Sequence, residues 1–79
     1  MAFQMTVRYT KLWKMLIDRD IQRNEFRRAI NLSSSTYQKL LQNQFVSMEV
    51  IARICAYLYC DVGDVMEMVP TANEISNLG

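Results

Sequence analysis

Hydrophobic residues recur along this chain at the three- and four-residue spacings that place side chains on one face of a helix. The first such stripe has members at i, i+3, i+4, i+7 and i+8, namely Tyr9, Leu12, Trp13, Leu16 and Ile17. The stripe predicts an amphipathic helix over about residues 9 to 19.

A second, shorter helix is predicted from Glu25 to Ile30. Phe26, Ala29 and Ile30 share one face of such a helix. Asn24 precedes it and is a good N-cap, because its side-chain oxygen can accept hydrogen bonds from the first unpaired amides.

A third helix is predicted to begin after Ser33, which can act as its N-cap, and to end near Gln42. Its apolar stripe consists of Tyr37, Leu40 and Leu41. About three residues, beginning with Asn31, separate it from the second helix. Asparagine tolerates the left-handed conformation that ends a helix sharply, and two short helices on so tight a turn must cross at a large angle.

A fourth helix is predicted after the polar segment of residues 42 to 44, with Ser47 as its N-cap. Its buried face would consist of Val50, Ile51, Ile54, Cys55 and Leu58. Glu49 lies in the first turn, where a negative charge interacts favourably with the helix dipole.

The pattern predicts a fifth helix, which Pro70 would close. Asp61 and Asp64 resemble a capping box, although the second position is usually Glu or Gln. The apolar residues of this helix lie at i, i+3, i+4 and i+7: Val62, Val65, Met66 and Val69.

Together these elements predict an all-α fold, a compact helical domain over residues 8 to 70. Residues 1 to 7 are expected to form an N-terminal arm, and the pattern does not decide between an arm and a short strand. Residues 71 to 79 lack a sustained stripe and are expected to form a flexible C-terminal tail.

The composition agrees with a single folded domain. The chain has 79 residues, of which 51% are hydrophobic and 22% are charged, unlike a chain that stays unfolded. Two glycines and one proline leave little material for the turns of a small β-sandwich. Because the sequence has neither a long apolar run nor an export signal, we expect a soluble cytoplasmic protein with no membrane partner.

Candidate chemistry is scarce, and we expect no enzyme and no catalytic residue. Without histidine, neither a catalytic triad nor a Cys2His2 zinc site can form. Cys55 and Cys60 could pair, but in a chain without an export signal we expect both to be reduced. No metal, cofactor or small-molecule ligand is therefore expected.

The net charge of +1 conceals an uneven distribution. Residues 8 to 39 contain eight basic and three acidic residues, a net charge of +5. Residues 40 to 79 contain one basic and five acidic residues, a net charge of −4. The basic segment suggests a polyanionic partner, although a solvated helix face would carry the same charges.

The stretch RNEFRRAINLSSSTYQKLLQ, residues 23 to 42, resembles the helix-turn-helix of the Xre family, the lambda-repressor and Cro-like DNA-binding domains. Its apolar positions match those at which the two helices of this motif pack: Phe26, Ile30, Leu32, Tyr37 and Leu40. The phrases KLWKMLID, VSMEVIARIC and CDVGDVMEMV are similar to the compact five-helix subgroup of small bacterial and phage regulators. The resemblance covers about residues 7 to 70. Two positions depart from the family, because Asn31 and Arg27 stand where it commonly has glycine and alanine.

The resemblance implies that the third helix enters the major groove of double-stranded DNA. The residues expected to read base edges are Ser34, Ser35, Thr36, Gln38 and Gln42. Gln38 is foremost among them, since a glutamine amide can form a bidentate pair with adenine. The residues expected to contact phosphates are Arg23, Arg27, Arg28, Lys39, Asn43 and Gln44, with Lys39 and Asn43 foremost.

Some of these residues also have a purely structural interpretation. Small polar residues such as those from Ser33 to Thr36 can simply start a helix. Arg28 can pair with Glu25 three residues earlier on the same helix.

Two hypotheses for the function follow. The first is a sequence-specific transcriptional regulator that binds DNA as a homodimer, through its fifth helix with Met66 and Met68 or through its N-terminal arm pairing as strands. The second is a protein-interaction module on the same fold, antitoxin-like or an adapter, whose acidic C-terminal half binds a partner.

Overall fold

The structure is a computed structural model that describes residues 4–70. Four α-helices follow one another in this part of the chain: α1 (Thr10–Asp18), α2 (Arg23–Ala29), α3 (Ser34–Leu41) and α4 (Met48–Leu58). A short strand lies at each end, β1 (Met5–Arg8) and β2 (Glu67–Pro70), and a 3-10 turn at Val62–Asp64 precedes β2. None of these helices is long and apolar enough to cross a membrane.

The predictions for α1, α3 and α4 agree with the structure to within one or two residues. Ser33 and Ser47 are the N-caps of α3 and α4, as predicted, and each hydroxyl accepts a hydrogen bond from a backbone amide in the first turn. The prediction for α2 is wrong at its start. The helix begins at Arg23 with Gln22 as its N-cap residue, so Asn24 lies inside the first turn instead of capping it.

Each of the four α-helices is followed by a residue with a left-handed backbone, and none of these residues is a glycine. They are Asp20, Asn31, Asn43 and Tyr59, with φ between 53° and 57°. The left-handed conformation predicted for Asn31 is confirmed. Asn31, where the family commonly has glycine, therefore adopts a left-handed conformation that both asparagine and glycine tolerate.

The predicted fifth helix is wrong, and the fold is not all-α. The capping box of Asp61 and Asp64 is present, but it starts only a three-residue 3-10 turn. The chain then becomes β2, which pairs antiparallel with β1, so that Met5 lies opposite Pro70 and Arg8 opposite Glu67. Residues 5–8 are thus a strand, whereas the predicted C-terminal tail, residues 71–79, lies outside the described residues.

The sheet joins two segments that are about sixty residues apart in sequence. Arg8 donates to Glu67 Oε1 from both Nε and Nη2, with the Nε atom 3.0 Å from the oxygen. Val7 of β1 and Val65, which precedes β2, are both buried. β-branched residues such as Thr6, Val7 and Val69 suit a strand when a partner strand is available, so tertiary pairing overrides the helical spacing here.

The hydrophobic core receives side chains from both ends of the described region and from all four helices. Its buried members are Val7, Tyr9, Leu12, Leu16, Phe26, Ile30, Leu32, Leu40, Ile51, Ile54, Leu58 and Val65. Ile17, which the sequence placed on the buried stripe of α1, is 75% exposed. No polar or charged residue is buried within residues 4–70, so the functional groups of this region lie on its surface.

Candidate nucleic-acid interface

Helix α3 exposes a row of small polar side chains. Ser34, Ser35 and Gln38 are exposed, and their three- and four-residue spacing places them on one side of the helix. Gln42, the residue that ends α3, continues the row one turn further. Four of the five predicted base-reading residues therefore share one exposed side.

Thr36 is the exception among the predicted base-reading residues. Its side chain is half-buried, and its Oγ1 accepts a hydrogen bond from the Ser33 hydroxyl at 2.9 Å. Its backbone amide donates to Ser33 Oγ at 3.2 Å. Thr36 is thus part of the N-terminal cap of α3, as the structural interpretation of the serine run had it, and is not in the exposed row.

Arg27 of α2 reaches the first turn of α3. Its Nη2 donates to Ser34 Oγ at 2.6 Å, and its guanidinium carbon lies 5.1 Å from the centre of the Tyr37 ring. The long side chain therefore lies along the surface of α3 at a position where the family often has alanine. This contact links a predicted phosphate-binding residue to a predicted base-reading residue.

Arg23 is held against the aromatic cluster beneath the motif. Its guanidinium carbon lies 4.4 Å from the centre of the Trp13 ring. Trp13 makes edge-to-face contacts with Phe26 at 6.4 Å and with Tyr37 at 6.3 Å between ring centres. Trp13, a member of the apolar stripe of α1, therefore packs this helix against α2 and α3.

Arg28 and Lys39 remain available for an external partner. Arg28 is exposed and lines a surface concavity together with Asn24, Arg27 and Asn31. The sequence allowed an ion pair between Arg28 and Glu25, but this pair does not form. The ion pairs within residues 4–70 are those of Arg8 with Glu67 and of Arg53 with Glu49.

The side chains of Gln38 and Lys39 form no hydrogen bond or ion pair within residues 4–70. Both are exposed near the middle of α3. A neutral donor and acceptor thus stands beside a cation, which is the combination that base reading and phosphate binding need.

Asn43 and Gln44 fasten the loop after α3 to the start of α1. The Tyr9 amide donates to Asn43 Oδ1 at 3.2 Å, and the Tyr9 hydroxyl donates to the Gln44 backbone carbonyl at 2.7 Å. The Gln44 side-chain amide in turn donates to Gln42 Oε1 at 3.1 Å. Burial raises the pKa of the Tyr9 hydroxyl, which favours its neutral, donating form.

Sequence reasoning missed three of these structural contacts. The position of Arg27 was visible as a departure from the family, but its contacts with Ser34 and Tyr37 depend on how α2 and α3 cross. The bond between Tyr9 and Asn43 joins residues 34 positions apart. No local pattern signals it.

The two cysteines lie at the end of α4 and are both free and half-buried. The Cys60 amide donates to the Cys55 carbonyl at 3.0 Å. Burial, and secondarily the neighbouring Cys55, raises the pKa of the Cys60 thiol. Cys60 is thus a poor nucleophile at neutral pH, because the thiolate is the reactive form.

The helix pair α2 and α3, its left-handed turn at Asn31 and the polar row on α3 define a helix-turn-helix domain. Residues 11–71 match the Cro/C1-type helix-turn-helix DNA-binding domain, and the chain belongs to this family. Its partner is double-stranded DNA, and the family is in general not enzymatic. The resemblance to the Xre family is thereby confirmed.

Among solved structures, the chain is similar to the transcriptional regulator VanUg. The two are 50% identical and superpose with a TM-score of 0.85, over 90% of this chain and 96% of that chain. A comparison with curated protein sequences gives no significant match. The chain is accordingly a DNA-binding transcriptional regulator.

Proposed function

We propose that the protein recognises a specific sequence of double-stranded DNA by inserting α3 into the major groove, and that it does so as a homodimer. The main support for this proposal is the exposed row of polar side chains on α3, in which Ser35 and Gln38 lie on the same side of the helix. A major groove about 12 Å wide admits an α-helix, and its base edges present donors and acceptors that hydroxyl and amide groups can match.

Gln38 is the main base-reading residue in this proposal. Its side chain is not engaged by another described residue, so its amide can turn to face a base without breaking an internal hydrogen bond. A bidentate pair between glutamine and adenine discriminates against the wrong base by about 1–3 kcal/mol. Ser34 and Ser35 add hydrogen bonds of lower specificity, and Gln42 extends the row.

Phosphate contacts set the register of α3 in the groove. Lys39 and Arg28 supply exposed cations on either side of the turn, whereas Arg23 and Arg27 are held on aromatic rings. The backbone after α3 is fixed by its bonds to Tyr9, so Asn43 and Gln44 approach the phosphates as part of a stiff loop. Such contacts give affinity without carrying sequence information.

A homodimer follows from the size of the recognition element. Helix α3 has eight residues, which reach only a few base pairs. Two copies on half-sites about one helical turn apart double the length of the recognised sequence.

Selection of bound sequences from a random DNA pool tests this proposal. We expect an enriched motif with two-fold symmetry, which would report base reading and dimer symmetry together. In a parallel titration on mixed DNA, log affinity should fall with log salt concentration by about 0.9 per phosphate contacted. Binding without an enriched sequence would contradict base reading. No binding at low salt would instead favour a protein-interaction role.

A further inference from the structure

Helix α4 carries apolar residues on its solvent side as well as on its core side. Ile51, Ile54 and Leu58 face the core and are buried. The opposite side, with the loop residue that precedes it and the residue that ends it, forms a surface that we call the α4 outer face: Phe45, Met48, Ala52, Ala56 and Tyr59. Phe45, Met48 and Tyr59 are 60%, 66% and 94% exposed.

The α4 outer face has almost no charge. Residues 45 to 60 include only two charged residues, Glu49 and Arg53. These two pair with each other, with 2.9 Å between Arg53 Nη2 and Glu49 Oε1. A helix in contact with water normally has a polar outer side, and a helix that is apolar all round is normally buried. Within residues 4–70, nothing covers this face.

We propose that the α4 outer face binds the same face of a second copy of the chain, with the two helices antiparallel about a two-fold axis at Ala52. This inference rests on the homodimer of the proposed function and identifies its interface. An isologous interface of this kind must be complementary to itself.

The residues of the face have sizes that are complementary under this symmetry. An antiparallel pairing centred on Ala52 places Met48 opposite the small Ala56 of the second copy, and Phe45 opposite its Tyr59. Ala52 meets Ala52, so the two backbones approach closely at the crossing point. Large side chains therefore meet small ones along the helices, and aromatic rings, which are common among the residues that contribute most to interfaces, meet at both ends.

The charges are complementary under the same symmetry. Glu49 and Arg53 lie on one flank of α4, one turn apart. The two-fold axis keeps both copies of this flank on the same side of the interface and reverses their direction. Glu49 of each copy then lies beside Arg53 of the other, so each ion pair extends into a four-residue network. A heterologous partner would not need this self-complementarity.

The interface is small, which predicts a weak dimer. Aromatic side chains bury about 150–250 Å² each, so two rings and a methionine per copy leave the contact at the low end of specific interfaces, below about 1,200 Å² in total. Such a dimer dissociates readily in solution. On DNA with two adjacent half-sites, the second copy binds at a raised effective concentration.

Analytical ultracentrifugation of the free full chain, from micromolar to millimolar concentration, tests the inference. We expect a monomer–dimer equilibrium for the natural chain and at least about a 100-fold weaker dimer for Ala52→Glu, which sets two carboxylates against each other. Ala56→Glu should weaken it similarly. The matched control is Ile17→Glu, because Ile17 is also an exposed apolar helix residue and lies outside the face.

Charge reversal tests the predicted pairing directly. Glu49→Arg and Arg53→Glu should each weaken the dimer, and the double variant should restore it, because the swapped charges are again complementary. Circular dichroism of each variant verifies folding. A natural chain that stays monomeric at millimolar concentration overturns the inference, as does an Ala52→Glu variant that dimerises normally or a double variant weaker than both single variants.

These outcomes are separate from those that test DNA recognition. A dimer that depends on Ala52 but enriches no DNA sequence would uphold the interface and contradict base reading. A chain that enriches a DNA sequence as a strict monomer would uphold base reading and contradict the interface.

Discussion

Gln38 and Lys39 are adjacent in α3 but are expected to contact different parts of the DNA. Gln38→Ala should relax the preference at one base pair by about 1–3 kcal/mol and leave binding to mixed DNA nearly unchanged. Lys39→Ala should weaken binding to all sequences alike and lower the salt slope by about one. Fluorescence anisotropy on matched and mismatched sites at several salt concentrations measures both effects.

Lys14→Ala is the control for charge, because Lys14 is an exposed lysine on α1 outside the polar row. It should change the salt slope less than Lys39→Ala does. If Gln38→Ala and Lys39→Ala acted identically on matched and mismatched sites, the roles assigned to the two residues would be wrong.

Arg27 is better placed to position α3 than to bind a phosphate. The planar guanidinium donates to Ser34 and stacks on Tyr37 at the same time, a combination that the compact ammonium of lysine does not reproduce. We expect Arg27→Lys, which keeps the charge, to lose affinity for the selected site about as much as Arg27→Ala, with the salt slope nearly unchanged. A phosphate contact predicts the opposite, since lysine would then largely replace arginine.

At the scale of the elements, the two-stranded sheet contains an ion pair whose contribution to folding stability depends on pH. The hydrogen bond from Arg8 to Glu67 lowers the pKa of that carboxyl below its ordinary value of 4.5. Because the pKa of Glu67 is lower in the folded state than in the unfolded state, the ion pair stabilises the folded protein at pH values above the unfolded-state pKa. This stabilisation is lost as the pH falls through the folded-state pKa. It is therefore present at neutral pH.

Comparing the natural chain with Glu67→Gln isolates this contribution. The difference in the free energy of unfolding should be small at neutral pH, because the pair is exposed, and should disappear in acid. Urea denaturation at a series of pH values measures it. Glu25→Gln is the matched control, since Glu25 is exposed and forms no ion pair within residues 4–70. A difference that grows in acid would contradict the assignment.

The elements that sequence predicted well are those that local patterns determine. The stripe from Leu12 to Leu16 and the caps at Ser33 and Ser47 are local, and the structure has them as predicted. The prediction for the segment after α4 failed because its apolar residues belong to different elements: Val62 and Val65 lie in or beside the 3-10 turn, and only Val69 is a valine of β2. Its conformation depends on β1, about sixty residues earlier, and no local signal reports that pairing.

The candidate site was predictable in its chemistry but not in its internal contacts. The resemblance to the Xre family identified the four residues that share the exposed polar row of α3. The half-buried position of Thr36 and the bond from Tyr9 to Asn43 follow from packing between helices, which a one-dimensional pattern does not contain. The sequence of the α4 outer face is poor in charge, but the exposure of its apolar side chains depends on how α4 packs.

At the scale of the whole molecule, DNA binding and dimerisation use different surfaces and should be separable. Ala52→Glu changes α4 alone and leaves α3, Arg28 and Lys39 intact. We expect this variant to bind a single half-site with the affinity of the natural chain. On two half-sites one helical turn apart, it should lose the cooperative gain that the weak dimer contact provides.

Titration of DNA carrying one or two half-sites measures this cooperativity, and Ile17→Glu again serves as the control. Increasing the spacing between half-sites by half a helical turn should abolish cooperativity for the natural chain, because a rigid two-fold dimer reaches only one face of the duplex. Ala52→Glu should not respond to the spacing. Equal cooperativity in the two proteins would place the dimer contact elsewhere, whereas a lower half-site affinity of the variant would show that α4 also contributes to DNA binding.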